Sequence, residues 1–164
     1  MNVDSNMENT QVNAWLLTWN PKKFLWDESI DGYEAVLKEI DQIGFSILRW
    51  SCGRTKKIQS GDLVYMIRVG CKNNRGIIAR GHALSDVFSG SHWDKAAALR
   101  GETVNRIFVK FDSMVDLSRE ESLSTDLLMQ KFPKMYWTPQ SSGTSISPDI
   151  LDELNSLWEE KVGK

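Results

Sequence analysis

The chain has 164 residues, 41% of them hydrophobic and 26% charged, with a formal net charge of −2. That is enough material for one core and too little for two sizeable ones, so a single domain is expected and a multidomain enzyme is excluded. No apolar run could span a bilayer, and Met1 to Gln11 is polar and acidic instead of basic then apolar, so neither an anchor, a secretory signal nor a membrane partner is expected, and the expected location is the cytoplasm.

Residues 1–11 lack apolar periodicity and read as a flexible lead-in, with one domain over 12–164. Val12 to Trp19 reads as a strand halted by Asn20-Pro21, and the loop to Ile30 carries Phe24 and Trp26. Asp31 with Glu34 makes a capping-box-like start. Tyr33, Val36, Leu37, Ile40 and Ile43 then recur at helical spacing until Gly44. Phe45 to Trp50 reads as a strand, Ser51 to Gly61 as a polar loop, and Asp62 to Val69 as a strand with Leu63, Tyr65, Ile67 and Val69 on one face. Cys71 to Arg75 predicts a hairpin connection into Gly76 to Val87, where Gly81 suggests a bulge. Ser85 to Glu102, with Trp93, reads as a loop or short helical insert before a strand at Val104 to Phe111. Leu127 to Met129 suggest a short helix ending before Pro133. Ser147 and Pro148 open a last helix with Ile150, Leu151, Leu154, Leu157 and Trp158 inward. Consecutive strands between helices predict an α+β domain with a curved antiparallel sheet or small barrel flanked by helices.

Searches for catalytic frames fail. The chain has no Walker loop, dinucleotide fingerprint, nucleophile elbow, zincin helix or deaminase pattern. Cys52 and Cys71 are too few for a disulfide framework and, with only His82 and His92, lack zinc-site spacing. No metal, cofactor or catalytic residue is expected. The enzyme alternative would pair Cys52 with His82 or His92.

Aromatic placement is the informative signal. Trp15 and Trp158 fit apolar faces and belong to the core. Trp19, Trp26, Trp50, Trp93 and Trp137 fall in loops or at strand ends beside polar residues. A flat ring there can stack a planar base for about 1–3 kcal/mol while adjacent amides and hydroxyls read its edge. Charge is also uneven. Arg49 to Arg80 holds eight basic residues and one acid, Asp62, whereas Asp112 to Leu128 holds five acids and one base, Arg119. Arg54, Lys56 and Lys57 directly follow Trp50, which sets cations suited to phosphates beside a stacking ring, as base-flipping proteins do.

The order of Ala14-Trp15-Leu16-Leu17-Thr18-Trp19-Asn20-Pro21, Arg49-Trp50-Ser51-Cys52-Gly53, Gly61 to Met66, Gly76 to Gly81 and the strand Val104 to Phe111 resembles the EVE domain of the PUA-like superfamily, which includes YTH and ASCH domains. With Trp137-Thr138-Pro139-Gln140-Ser141-Ser142-Gly143, it is most similar to the EVE-like domain that precedes HNH nucleases in modification-dependent restriction enzymes. That resemblance implies a PUA-like curved sheet or partial β-barrel holding a flipped, modified base, such as 5-methylcytosine in DNA or a methylated base in RNA. It places Trp19, Asn20, Trp26, Trp50, Ser51, Trp137 and Gln140 around the base and Arg54, Lys56 and Lys57 at phosphates. No nuclease motif is present, so a noncatalytic reader of nucleic acid is expected, DNA before RNA, with a separately encoded nuclease as a further partner. The alternatives are an RNA reader and a protein-interaction domain using the same aromatics as an interface hot spot.

Overall fold

The computed structural model describes residues 13–26 and 32–163. Within them the chain runs β1 (Ala14–Trp19), α1 (Tyr33–Ile43), β2 (Ser46–Gly53), β3 (Leu63–Arg68), β4 (Gly76–Ala83), β5 (Phe88–Ser91) and α2 (Lys95–Leu99). It continues through β6 (Thr103–Met114), β7 (Leu123–Ser124), α3 (Thr125–Lys131), β8 (Thr144–Ile146) and α4 (Pro148–Val162). The α+β class is the one the sequence predicts.

The strands form one sheet in the order β2-β6-β4-β3-β1-β8, with β5 added to β6 and β7 to β4. The sheet is mixed where an antiparallel one was expected. β1 and β3 pair in parallel, Ala14 opposite Leu63 through Trp19 opposite Arg68. The cause is the connection: after β1 the chain traverses a loop, α1 and β2 before returning, and a crossover of that length brings the next strand back in the same direction. Backbone pairing does not close the sheet. Across the gap between β2 and β1, the Trp50 indole Nε1 donates to the Thr18 carbonyl at 3.0 Å.

Alternation along β1 and β3 feeds two cores, one on each face of the sheet. Trp15, Leu17 and Trp19 of β1 join Val64 and Met66 of β3 in the first, together with Tyr33 and Val36 of α1. Ala14, Leu16, Leu63, Tyr65 and Ile67 point the other way, against Leu128, Leu151, Leu154 and Trp158 of α3 and α4. Trp15 ties down with Nε1 on Asp62 Oδ2 at 2.9 Å, and Trp158 with Nε1 on Ser113 Oγ at 2.8 Å. Both are core residues, as their spacing predicts.

Several local signals act as expected. Gly44 ends α1 in the left-handed region, Ser147 caps α4 ahead of Pro148, and β4 shifts register at Gly81. A Cβ on Gly81 would lie 2.0 Å from the Lys110 carbonyl oxygen, so only glycine lets β6 approach. Other expectations need correction. The residue capping α1 is Gly32, with no side-chain cap bond, and Asp31 lies outside the described residues, as does Val12. Residues 85–102 contain a strand as well as a short helix: β5 pairs with β6, and Asp94 caps α2 by accepting from Ala97 N. Ser51 and Gly53 belong to β2 instead of a loop.

Candidate nucleic-acid interface

The parallel pairing of β1 with β3 brings their carboxyl ends side by side, and the end of β2 arrives across the open edge. A cleft of about 840 Å³ forms there. Its walls are Thr18 to Asn20 with Lys22 to Phe24 beyond β1, Arg49 to Ser51 and Gly53 of β2, and Arg68 to Lys72 with Arg75 beyond β3. Arg106, Trp93, Thr125 and the 138–142 segment complete the lining. That size suits a small planar ligand and its attachments.

The aromatic part is a chain of ring contacts. Trp19 meets Trp26 edge to face at 5.4 Å, Trp26 meets Trp50 at 4.8 Å, and Phe24 meets Trp50 edge to face at 5.6 Å. Tyr33 stacks on Trp19 at 5.7 Å and touches Trp26 at 5.0 Å. Trp19 is almost buried, its Nε1 donating to the Phe24 carbonyl at 2.9 Å. Trp50 is half-buried and Phe24 exposed, so these two, with the exposed Trp93, offer ring surface to the cleft.

Polar groups set the edges. Asn20 accepts from Lys22 N at 3.0 Å through Oδ1, and that side chain occupies the space beside Gly70, where a Cβ would be 2.2 Å from it. Ser142 Oγ accepts from Thr18 N at 3.0 Å. The 138–142 wall is held backbone against backbone: a Cβ on Gly143 would fall 2.0 Å from the Cys52 oxygen, and one on Gly53 2.2 Å from the Ser142 oxygen. Both glycines have positive φ, 91° and 70°.

Electrostatically the cleft is one-sided. Among the described residues that line it, seven are Lys or Arg and none is Asp or Glu. Arg75 pairs with Asp126 at 3.0 Å outside that lining. The Arg68 guanidinium lies 5.6 Å from the Trp19 ring centre and donates through Nη1 to the Asn73 carbonyl at 2.9 Å. Arg106 donates through Nη2 to the Ser91 carbonyl at 2.6 Å. The Nε atoms of both are buried without a hydrogen-bond partner. Burial, and then the nearby charge of Arg49, lower the proton affinity of Arg106.

Of the residues expected around a base, Trp19, Asn20, Trp50, Ser51 and Gln140 line this cleft. Trp26 does not; it is buried behind Trp19 and Trp50 and backs them. Trp137 also does not. It is fully buried in the second core, with Nε1 donating to the Phe132 carbonyl at 3.1 Å, because the chain turns back after Pro133 onto the end of α3. Arg54, Lys56 and Lys57 are exposed and outside the lining, since β2 continues past Trp50 and Ile58 anchors the following loop elsewhere. The cations that do line it include Arg68 and Arg75 from the counted basic segment, and Lys22 and Lys23 beside the Asn20-Pro21 stop. Arg106 had no local signal, because only the pairing of β6 with β2 sets it opposite Ser51.

The enzyme alternative meets an unsuitable thiol. Cys52 is fully buried, and burial pushes its pKa from 9.0 to about 11. His92 Nδ1 accepts from Asp94 N at 3.0 Å, and neither histidine lines the cleft. Among the described residues no group of His, Cys, Asp and Glu could hold a metal ion, and no helix is long and apolar enough to cross a membrane.

No protein-family model matches the chain, and no curated protein does. Among solved structures the chain is similar to a YTH domain-containing protein, mmi1, in a complex with RNA. The TM-score is 0.49 at 12% identity, covering 94% of this chain and 88% of that one. It is also similar to the crystal structure of the MmI1 YTH domain, with TM-score 0.46 at 10% identity, covering 90% and 96%. Both neighbours are YTH domains. Neither likeness assigns a ligand or a residue role to this chain.

Proposed function

We propose that this chain is a noncatalytic nucleic-acid reader that holds one modified base against Trp50 and Phe24. The observation that carries the reading is the coexistence, in one cleft, of exposed ring surface with seven cations and, among the described lining residues, no carboxylate. A purely apolar ligand would make no use of the cations, and a simple anion would leave the rings unused. A nucleotide within a strand uses both, its base on the rings and its phosphates on the Lys and Arg side chains. Thr18, Asn20, Ser51 and Gln140 supply polar groups along the cleft for reading the base edge. The 5-modified cytosine in DNA comes from the EVE resemblance, and so does a nuclease partner.

The test is a titration of intrinsic tryptophan fluorescence with short single strands of DNA and of RNA. Within each set the strands are identical except for one cytosine that is unmodified, 5-methylated or 5-hydroxymethylated. Selective, saturable quenching by one modified strand is expected. Equal and salt-sensitive binding of all strands would reduce the cleft to a phosphate-binding surface. Tighter binding of an RNA strand than its DNA equivalent would assign the 2′-hydroxyl to the ligand.

A further inference from the structure

Resting on that reading, we infer that the cleft grips the two phosphates on either side of the held base, one at Arg68 and the other at Arg106 with Arg49. The geometry is a row. Arg68 sits against Trp19 at 5.6 Å, Trp19 against Trp26 at 5.4 Å, and Trp26 against Trp50 at 4.8 Å. Beyond Trp50, Ser51 stands opposite Arg106 across the β2–β6 pairing, and Arg49 is two residues back on the same face of β2. The cleft therefore has one guanidinium against the Trp19 end of the aromatic row and two more, from the face of the β2–β6 pair opposite to the Trp50 ring, elsewhere on its lining.

Among the described residues no acid lines the cleft, and the buried Nε atoms of Arg68 and of Arg106 both lack a hydrogen-bond partner. Arg106 reaches its place because Gly90 leaves room: a Cβ there would lie 3.2 Å from Arg106 Cδ. The charge of Arg49 acts on Arg106, an anion beside the two would relieve that repulsion, and the planar fork of Arg matches phosphate oxygens. A free base or nucleoside would satisfy neither site, and a mononucleotide only one. An internal nucleotide of a strand satisfies both. The ligand class is therefore a strand passing through the cleft, with its terminus outside.

The experiment uses the strand that binds tightest in that tryptophan-fluorescence titration, with an uncharged methylphosphonate replacing the linkage on the 5′ side or on the 3′ side of the modified base. Each replacement should weaken binding to the unaltered protein about tenfold, the scale of one charge-assisted contact. Arg106→Gln should become insensitive to one replacement and keep sensitivity to the other. Arg68→Gln should show the opposite pattern. Arg49 is exposed, so Arg49→Gln leaves the fold intact and should weaken the same linkage as Arg106→Gln. Arg68→Lys, which keeps the charge, should retain part of the sensitivity that Arg68→Gln loses. Insensitivity of the unaltered protein to both replacements, or loss of the same linkage by the Arg68 and Arg106 variants, would overturn the inference. A strand abasic at the central position separates the two readings. If it binds as tightly as the modified strand while the linkage pattern persists, base reading fails and the two phosphate sites stand. If it binds weakly and the pattern is absent, the reverse holds. No binding by any strand would remove both.

Discussion

Tryptophans with similar sequence surroundings have opposite roles. Trp50 presents ring surface to the cleft, whereas Trp137 is sealed beneath α3 and α4. Trp50→Ala should abolish strand binding in a protein that still folds, since the ring is half-buried and its loss opens toward solvent. Trp137→Phe should do the converse. It removes the bond to the Phe132 carbonyl and should cost about 1–3 kcal/mol of stability in a denaturant titration, with unchanged affinity per folded molecule. A buried thiol gives a third residue-scale expectation. The Cys52 pKa rises from 9.0 to about 11 on folding, so folding favours the protonated form. Its contribution is fully present below pH 9 and is lost as pH climbs through about 11. Cys52→Ala should therefore flatten the fall of the melting temperature between those two pH values; an unchanged alkaline slope would rule out this thiol as its source.

Gly53 and Gly143 occupy one crossing, where the end of β2 meets the segment before β8. Gly143→Ala would place a Cβ 2.0 Å from the Cys52 oxygen at a φ of 91°, so the two chains must separate. A stability loss above about 1 kcal/mol is expected, together with weaker strand binding as Gln140 to Ser142 move off the cleft. A Gly143→Ala protein with unaltered melting and affinity would contradict the crossing. The sequence reading recovered elements that carry their own period or punctuation: α1 through Gly44, α4 through Ser147-Pro148, and β4 through the bulge at Gly81. It missed those defined by distant partners. β5 has only four residues, and β7 and β8 two and three, too few for a pattern, and they exist because β6, β4 and β1 offer edges. Trp19 and Trp50 were legible because strand ends mark cleft rims. Arg106 was not, because a cation inside an alternating strand looks like any solvated face until its neighbour across the ladder is known.

Across the whole molecule the net charge of −2 conceals a polarity, with cations gathered at the cleft and acids in 112–128. Strand binding should therefore weaken steeply with salt, the double-logarithmic slope being about −0.7 for each phosphate neutralised on a single strand. Titrations at several salt concentrations should give a slope of about −1.4 if Arg68 neutralises one phosphate and the Arg49–Arg106 pair the other. A slope near zero would mean that the cleft takes an uncharged ligand. The bond from the Trp50 indole to the Thr18 carbonyl bears on kinetics as well. It fixes the stacking plate to the neighbouring strand before any ligand arrives, and the 138–142 wall is held in place by the bond from Thr18 N to Ser142 Oγ and the close approach of Gly53 and Gly143. Capture then requires no ordering step of its own. In stopped-flow mixing, the observed rate should climb in proportion to strand concentration and show no plateau, as for partners that meet with their binding surfaces already formed.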